Sequence, residues 1–406
     1  MNNNTTYKDS QLGKIPKDWH ELEFGAFVDI DKSKYNPVEY ENVRCLELEH
    51  FNQGDGTING WTNSSEQKST KNKFEKGQVL FGKLRPYLQK YWQAEFDGVC
   101  SSEVWVLMVK NKKCNNDYLF RLIQTHKFIQ VANVSSGSKM PRADWNYVSS
   151  FPFPLPPLPE QIRIAEVLGT WDKAISNLQA TITQKELLNK WLMQQLLTEK
   201  KRLKGFSGEW EEIRMKDVFK RIDKVNDGDD KHSVMTISAK KGLVSQEDKF
   251  DRVIAGDSLK KYTLLNKNDF AYNKGNSKTY QMGCIYQLEE IESALVPFVY
   301  ICFSPTEKIY SAFYKHWFLA HGLDRQLNRI ITSGARGDGL LNVNSDDFFK
   351  LKIPYPTIEE QTAIANVLQT ASNEVQLLQK QLDKLREQKK GLMQVLLTGK
   401  KRLIFK

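Results

Sequence analysis

The sequence predicts an α+β fold made of two related half-molecules, each a mixed strand-and-helix domain closed by a long helix. The first observation is an internal repeat: residues 158–203 recur without a gap at residues 358–403, with about twenty of roughly forty-six positions identical. The second is a coiled-coil seam inside each copy. Trp171, Ile175, Leu178, Ile182, Lys185, Asn189, Leu192 and Leu196 step by alternating fours and threes, and Ala371, Val375, Leu378, Leu382, Leu385, Lys389, Leu392 and Leu396 keep the same register. The third is the stretch before each copy, where short apolar or aromatic runs alternate with Gly, Asn and Ser clusters, as in short strands. Domains are therefore expected at residues 1–157 and 204–353, and helical repeats at 158–203 and 354–406.

In chain order, residues 1–10 are polar. Trp19 and Trp210 then each precede an alternating apolar segment, Leu22, Phe24, Phe27 in one half and Ile213, Met215, Val218 in the other, so each half opens on a strand. In the first variable region the runs at 45–48, 79–81 and 104–109 read as strands, and residues 117–131 as one helix. Prolines 152, 154, 156, 157 and 159 form a stiff extended connector, since prolines this dense suit neither a helix interior nor a sheet interior. Glu160 begins a helix, with Pro159 in its first turn; past Gly169 a second, longer helix is expected to run to about Thr198. About thirty residues of helix make a rod of roughly 45 Å. The seam is polar at one matching slot, Asn189 and Lys389, which fixes register at a cost in stability. The second variable region repeats the skeleton more than the letters. Residues 76–83 correspond to 267–274, residues 135–137 to 332–334, residues 151–154 to 351–354, and a helix at 309–327 matches the one at 117–131.

The chain has 406 residues, 27% of them charged, and a formal charge of +10, which points to a polyanionic partner; a solvated basic surface is the plainer reading. Cys45, Cys100, Cys114, Cys284 and Cys302 are scattered without C-x-x-C spacing, which argues against zinc and fits a reducing, cytoplasmic location. The first residues lack signal-peptide features, and no apolar run reaches membrane-spanning length. There is no phosphate-binding Gly-rich loop and no Ser/His/Asp arrangement, and His126 and His316 read as helix-packing residues.

Three features together resemble the specificity subunit of a type I restriction–modification system, over nearly the whole chain. They are the Leu-Gly-x-Ile-Pro-x-x-Trp opening from Leu12 to Trp19, the Pro-Leu-Pro-Pro-Leu-Pro-Glu-Gln-Ile string from Pro154 to Ile162 leading into a long helix, and the return of that unit at the C-terminus. The second string has lost two prolines but keeps Glu360 and Gln361. The resemblance implies two target recognition domains related by a pseudo-two-fold axis, each reading one half of a split, asymmetric sequence in double-stranded DNA. It implies that two long antiparallel coiled-coil helices separate them and set the unspecified spacer, so that adding whole heptads to both would change the spacer alone. It implies no catalysis and no bound cofactor in this chain. Methylation and cleavage would belong to two modification subunits and to restriction subunits, where S-adenosylmethionine, ATP and magnesium are expected.

For a DNA reader, Lys and Arg should meet phosphates and side chains on loops should meet base edges. The candidates in the first domain are Lys68, Lys71, Lys73, Lys83, Arg85, Ser138, Lys139 and Arg142. Those in the second are Lys240, Lys241, Lys274, Asn276, Ser277, Lys278, Arg329 and Arg336. Tyr87, Tyr91, Tyr272 and Tyr280 could stack on sugars or bases. The Gly-bearing loops at 136–142 and 333–339 occupy matching positions, though either could be a plain surface turn. The basic triplets at 200–202 and 400–402 read first as cations at helix C-termini, ahead of a DNA contact, and their recurrence could also mark a subunit interface. Two competing functions remain: a single-chain magnesium-dependent nuclease built on Asp55, Glu66 and Lys68, and a coiled-coil scaffold with no DNA role.

Overall fold

The computed structural model describes residues 6–11, 13–38, 41–134, 140–226, 232–239, 241–250, 252, 256–275, 280–331 and 341–403. The chain divides into two units, Met1–Gln179 with Lys380–Lys406, and Ala180–Gln379. Each unit holds one mixed domain, the start of one long helix and the end of the other.

In the first unit a four-stranded antiparallel sheet runs Tyr91–Gln93, Val79–Gly82, Val104–Val109, Val28–Ile30. A five-stranded sheet runs Lys34–Tyr35, Lys71–Phe74, Gly98–Cys100, Arg44–Leu46, Thr62–Asn63, and its Gly98–Cys100 and Arg44–Leu46 strands are parallel. The second unit repeats the first order as Cys284–Gln287, Phe270–Asn273, Ile301–Pro305, Phe219–Arg221. Its other sheet runs Thr263–Asn266, Ser293–Val296, Ser233–Ser238, Gly242–Ser245, again with a parallel pair at the second and third strands. The α+β class holds in both units, and the shared topology is the structural form of the duplication.

The proline connector is extended as expected, and it also pairs: Pro152–Leu155 joins His20–Glu23, just as Lys352–Tyr355 joins Glu211–Arg214. In a two-stranded sheet each strand has a free edge, so the missing proline N–H groups leave no gap in a sheet interior. The single helix expected at 117–131 is two, Asn116–Leu122 and His126–Ala132, because Thr125 caps the second by accepting from the Phe128 N–H. The single helix expected at 309–327 is likewise Ser311–Leu319 and Asp324–Ile330, broken where His321 takes φ 62°.

The long helices are Leu158–Leu196 and Ile358–Leu396. No break occurs at Gly169. Glycine costs a helix only about 1 kcal/mol relative to alanine, and the flanking turn is held by buried Ile164, Ala165 and Leu168. Along both seams Ile182, Leu196, Leu382 and Leu396 are buried and the remaining seam residues are half-buried, so the heptad reading holds. In the first unit Ile164, Ala165 and Leu168 share a core with Leu396 and Leu397, and in the second Ile364, Ala365 and Leu368 share one with Leu196 and Leu197. The start of one helix thus packs beside the end of the other, which makes the pair antiparallel within each unit. The polar slot finds a partner in each case: the Asn189 amide donates to Ser372 Oγ at 3.1 Å, and Lys389 pairs with Asp172 at 2.5 Å.

The repeated Glu-Gln and basic motifs belong to one clasp. Glu160, buried, accepts from the Trp19 indole at 2.9 Å and from Arg402 Nε and Nη2 at 3.0 and 2.6 Å. Glu360, also buried, accepts from Trp210 at 3.0 Å and from Arg202 at 2.6 and 2.7 Å. Gln161 donates to the Pro156 carbonyl and Gln361 to the Pro356 carbonyl, at 2.9 and 2.8 Å. The arginines of the triplets therefore do more than sit near a helix dipole: each neutralises a carboxylate at the start of the opposite helix.

Candidate nucleic-acid interface

Four of the sequence candidates, Lys83, Arg85, Tyr87 and Arg142, come together where the strand Val79–Gly82 ends. The Lys83 N–H donates to the Glu103 carbonyl at 2.9 Å, the Lys83 carbonyl accepts from the Ala143 N–H at 2.9 Å, and the Arg85 N–H donates to the Pro141 carbonyl at 2.7 Å. Leu84 and Arg142 form an antiparallel bridge. The backbone thus fixes Lys83, Arg85 and Arg142 on one platform beside the candidate loop, and the short helical turn Pro86–Leu88 carries Tyr87 out of it, 52% exposed. Arg85 and Gln89, flanking that turn, are left-handed at φ 52° and 51°. Such strain in non-glycine residues concentrates at functional sites.

The second unit repeats the platform. Lys274 follows the strand Phe270–Asn273, and its carbonyl accepts from the Leu341 N–H at 2.8 Å. Lys83 and Lys274, matched by the sequence, hold matching positions in the backbone.

Charge on the first platform is partly balanced. Arg142, 45% exposed in its side chain, is held side-on by Glu103, with Nε 3.0 Å from Oε2 and Nη2 3.1 Å from Oε1. That hydrogen bond and the carboxylate's charge raise the arginine above its ordinary pKa.

Other candidates lie elsewhere. Lys68 is exposed beyond the turn Ser64–Glu66, and Lys73 and Lys241 are exposed. Lys71 is buried at 3% exposure, its ammonium 2.6 Å from Glu47 and within hydrogen-bonding distance of Gln67 and Ser69, so it serves the interior of the sheet. Tyr91 and Tyr272 are core residues that donate to the carbonyls of Gly54 and Met282. Tyr280 is half-buried and stacks on His321 at 5.1 Å. Arg329 is exposed in the last turn of its helix. Ser138, Lys139, Lys240, Asn276, Ser277, Lys278 and Arg336 lie outside the described residues. Sequence reasoning missed Glu103 and Glu47, whose partners are distant in the chain.

The two carboxylates of the nuclease reading each serve a local turn. Asp55 is occupied by the N–H and hydroxyl of Thr57, and Glu66 by the Thr62 hydroxyl. Among the described residues no group of three or more His, Cys, Asp or Glu could hold a metal, and no helix is long and apolar enough to cross a membrane. The five cysteines are buried, which pushes the thiols of Cys45 and Cys302 up to about 12.

A family model described as the type I restriction modification DNA specificity domain matches residues 16–189 and 207–387. The EcoDI type I restriction enzyme specificity subunit of Escherichia coli is 32% identical over 186 residues, 43% of this chain; the match covers only 41% of that relative's length. The MjaVIII specificity subunit of Methanocaldococcus jannaschii is 23% identical across 98% of this chain and 96% of its own. Two solved structures share the fold. One, from work on complex assembly and conformational transition of the type I restriction–modification system, has a TM-score of 0.60 at 16% identity and covers 95% of this chain and 99% of its own. The other, a type I restriction–modification S subunit from M. genitalium, has a TM-score of 0.59 at 13% identity and covers 100% of this chain and 98% of its own.

Proposed function

We propose that this chain, which belongs to the family of type I restriction–modification DNA specificity proteins, reads a split DNA site with one half-site for each domain, residues 1–157 and 204–353. It is a DNA-recognition subunit and not an enzyme. The observation that carries the two-half reading is the platform built twice: Lys83 bonded to Ala143 and Lys274 bonded to Leu341, on sheets of the same strand order. One scaffold with different loops suits one task performed on two sequences.

The partners are double-stranded DNA, two modification subunits that methylate it, and restriction subunits that cut it, all in the cytoplasm. S-adenosylmethionine, ATP and magnesium act in those partners. Half-buried Lys83 and exposed Arg85 supply phosphate attraction, and loop side chains supply base contacts.

The test is binding of the purified chain to duplexes carrying the methylated motif of its host complex. Expected are preferential binding to the motif, a steep fall in affinity with salt, and no methyl transfer or cutting by the chain alone. Methyl transfer by the isolated chain with S-adenosylmethionine would overturn the non-catalytic assignment. Absent or salt-insensitive DNA binding would favour the scaffold reading.

A further inference from the structure

The Glu103–Arg142 pair has a geometry that a surface ion pair does not require. Both residues are anchored through Lys83: its N–H is bonded to the Glu103 carbonyl, and its carbonyl to the N–H of Ala143, next to Arg142. The Leu84–Arg142 bridge fixes the backbone on the other side. Glu103 then occupies the guanidinium side-on, through Nε and Nη2. This leaves the end-on edge, one N–H from each Nη, with no other partner among the described residues. Two parallel donors at that edge match the O6 and N7 acceptors of guanine in the major groove, and the side-on carboxylate removes the rotational freedom that a lone arginine would lose on binding.

We propose that Arg142 reads a guanine in the first half-site through its end-on edge, and that Glu103 is the residue that positions it. This rests on the DNA-reading function above. Glu103 contacts no base; it acts by orienting Arg142. Lysine at position 142 would keep the charge but lose the planar fork.

The test is selection of bound duplexes by the full chain from a pool with two randomised blocks, followed by sequencing. The wild-type chain is expected to select a bipartite motif with a guanine in one half. Arg142→Ala and Arg142→Lys are expected to reduce discrimination at that one base pair about tenfold to a hundredfold and to leave the other half-site unchanged, which also reports that the chain is folded. Glu103→Gln should relax the same base pair to a smaller extent, and add nothing in the Arg142→Ala background. Uniform loss of affinity across all duplexes in Arg142→Ala, with the base preference intact, would make Arg142 a phosphate contact and overturn the proposal. A tighter but equally selective Glu103→Gln variant would overturn the role of Glu103. Absence of any motif for the wild-type chain would instead overturn the DNA-reading function itself.

Discussion

The clasps at the two helix starts share Glu, Arg, Trp and Gln but complete the bonds of the arginine differently. In the first unit Arg402 completes its bonds on Asp18, 2.7 Å away, just before the tryptophan. In the second, Arg202 bonds to Glu199, 2.9 Å away and just past its own helix, and donates to the Ser207 and Gly208 carbonyls shortly before Trp210. Glu199 is left-handed at φ 60°; the matching Gly399 has φ 71°, and a Cβ there would lie 2.5 Å from Pro16. A side chain is therefore barred from position 399, and Asp18 supplies the charge instead. The seams differ similarly. Asp172 ties Arg121 and Lys389 into an ionic network, whereas Ser372 and Asn189 form a neutral pair. What stays constant across the copies is the framework of Glu, Arg, Trp and Gln; what varies is how each unit completes it.

The comparison can be broken most forcefully at the constant element. Arg402→Ala or Arg202→Ala leaves a buried carboxylate without its cation, and each should cost about 3–5 kcal/mol, read as a fall in the urea midpoint. A loss under about 1 kcal/mol in either would mean the clasp is not the common framework.

Acid sensitivity should separate the units next. His316 in the second unit stands where the first has Phe120, by the alignment of Tyr314 with Tyr118, whose hydroxyls donate to the Pro354 and Pro154 carbonyls. Burial, with the charge of Lys315, lowers the His316 pKa from 6.5 to about 4. The unfolded chain therefore takes up a proton first as pH falls. The contribution is fully present above pH 6.5 and is lost as pH falls through 4, amounting to about 3 kcal/mol. His316→Phe should retain that stability in unfolding measured between pH 6.5 and 4; an unchanged pH slope would refute the assignment.

The smallest effects belong to the seams. Asp172→Asn, which strips the charge from a network holding buried Arg121, should cost about 1–3 kcal/mol and lose its effect in high salt. Ser372→Ala should cost about 0.5–1.5 kcal/mol regardless of salt. Equal salt dependence in the two variants would erase the distinction between ionic and neutral slots.

The repeat and its seam were legible because they are local: a 3.5-residue period survives in the letters Ile182, Leu192 and Leu196 whatever surrounds them. The clasp was not, because Glu160 and Arg402 are 242 residues apart, and nothing near either names its partner. Lys71 reads as a surface cation until Glu47, 24 residues away, folds onto it. Tyr91 and Tyr272 sit in short strands whose inward faces depend on sheet pairing. Gly169 reads as a breaker, but tertiary packing of Ile164, Ala165 and Leu168 outweighs its weak preference. The platform was half visible: the match of Lys83 with Lys274 was in the letters, while the carboxylate of Glu103 reached Arg142 only through the fold.

The central claim, one half-site per domain, is tested most directly by mapping methylated sites in cells that express this chain with its modification partner. The wild-type chain is compared with a chimera whose residues 20–150 come from another member of the family. The expected result is a bipartite motif in which the exchange alters one half and leaves the other half and the spacer unchanged. A change in both halves, or in neither, would contradict it.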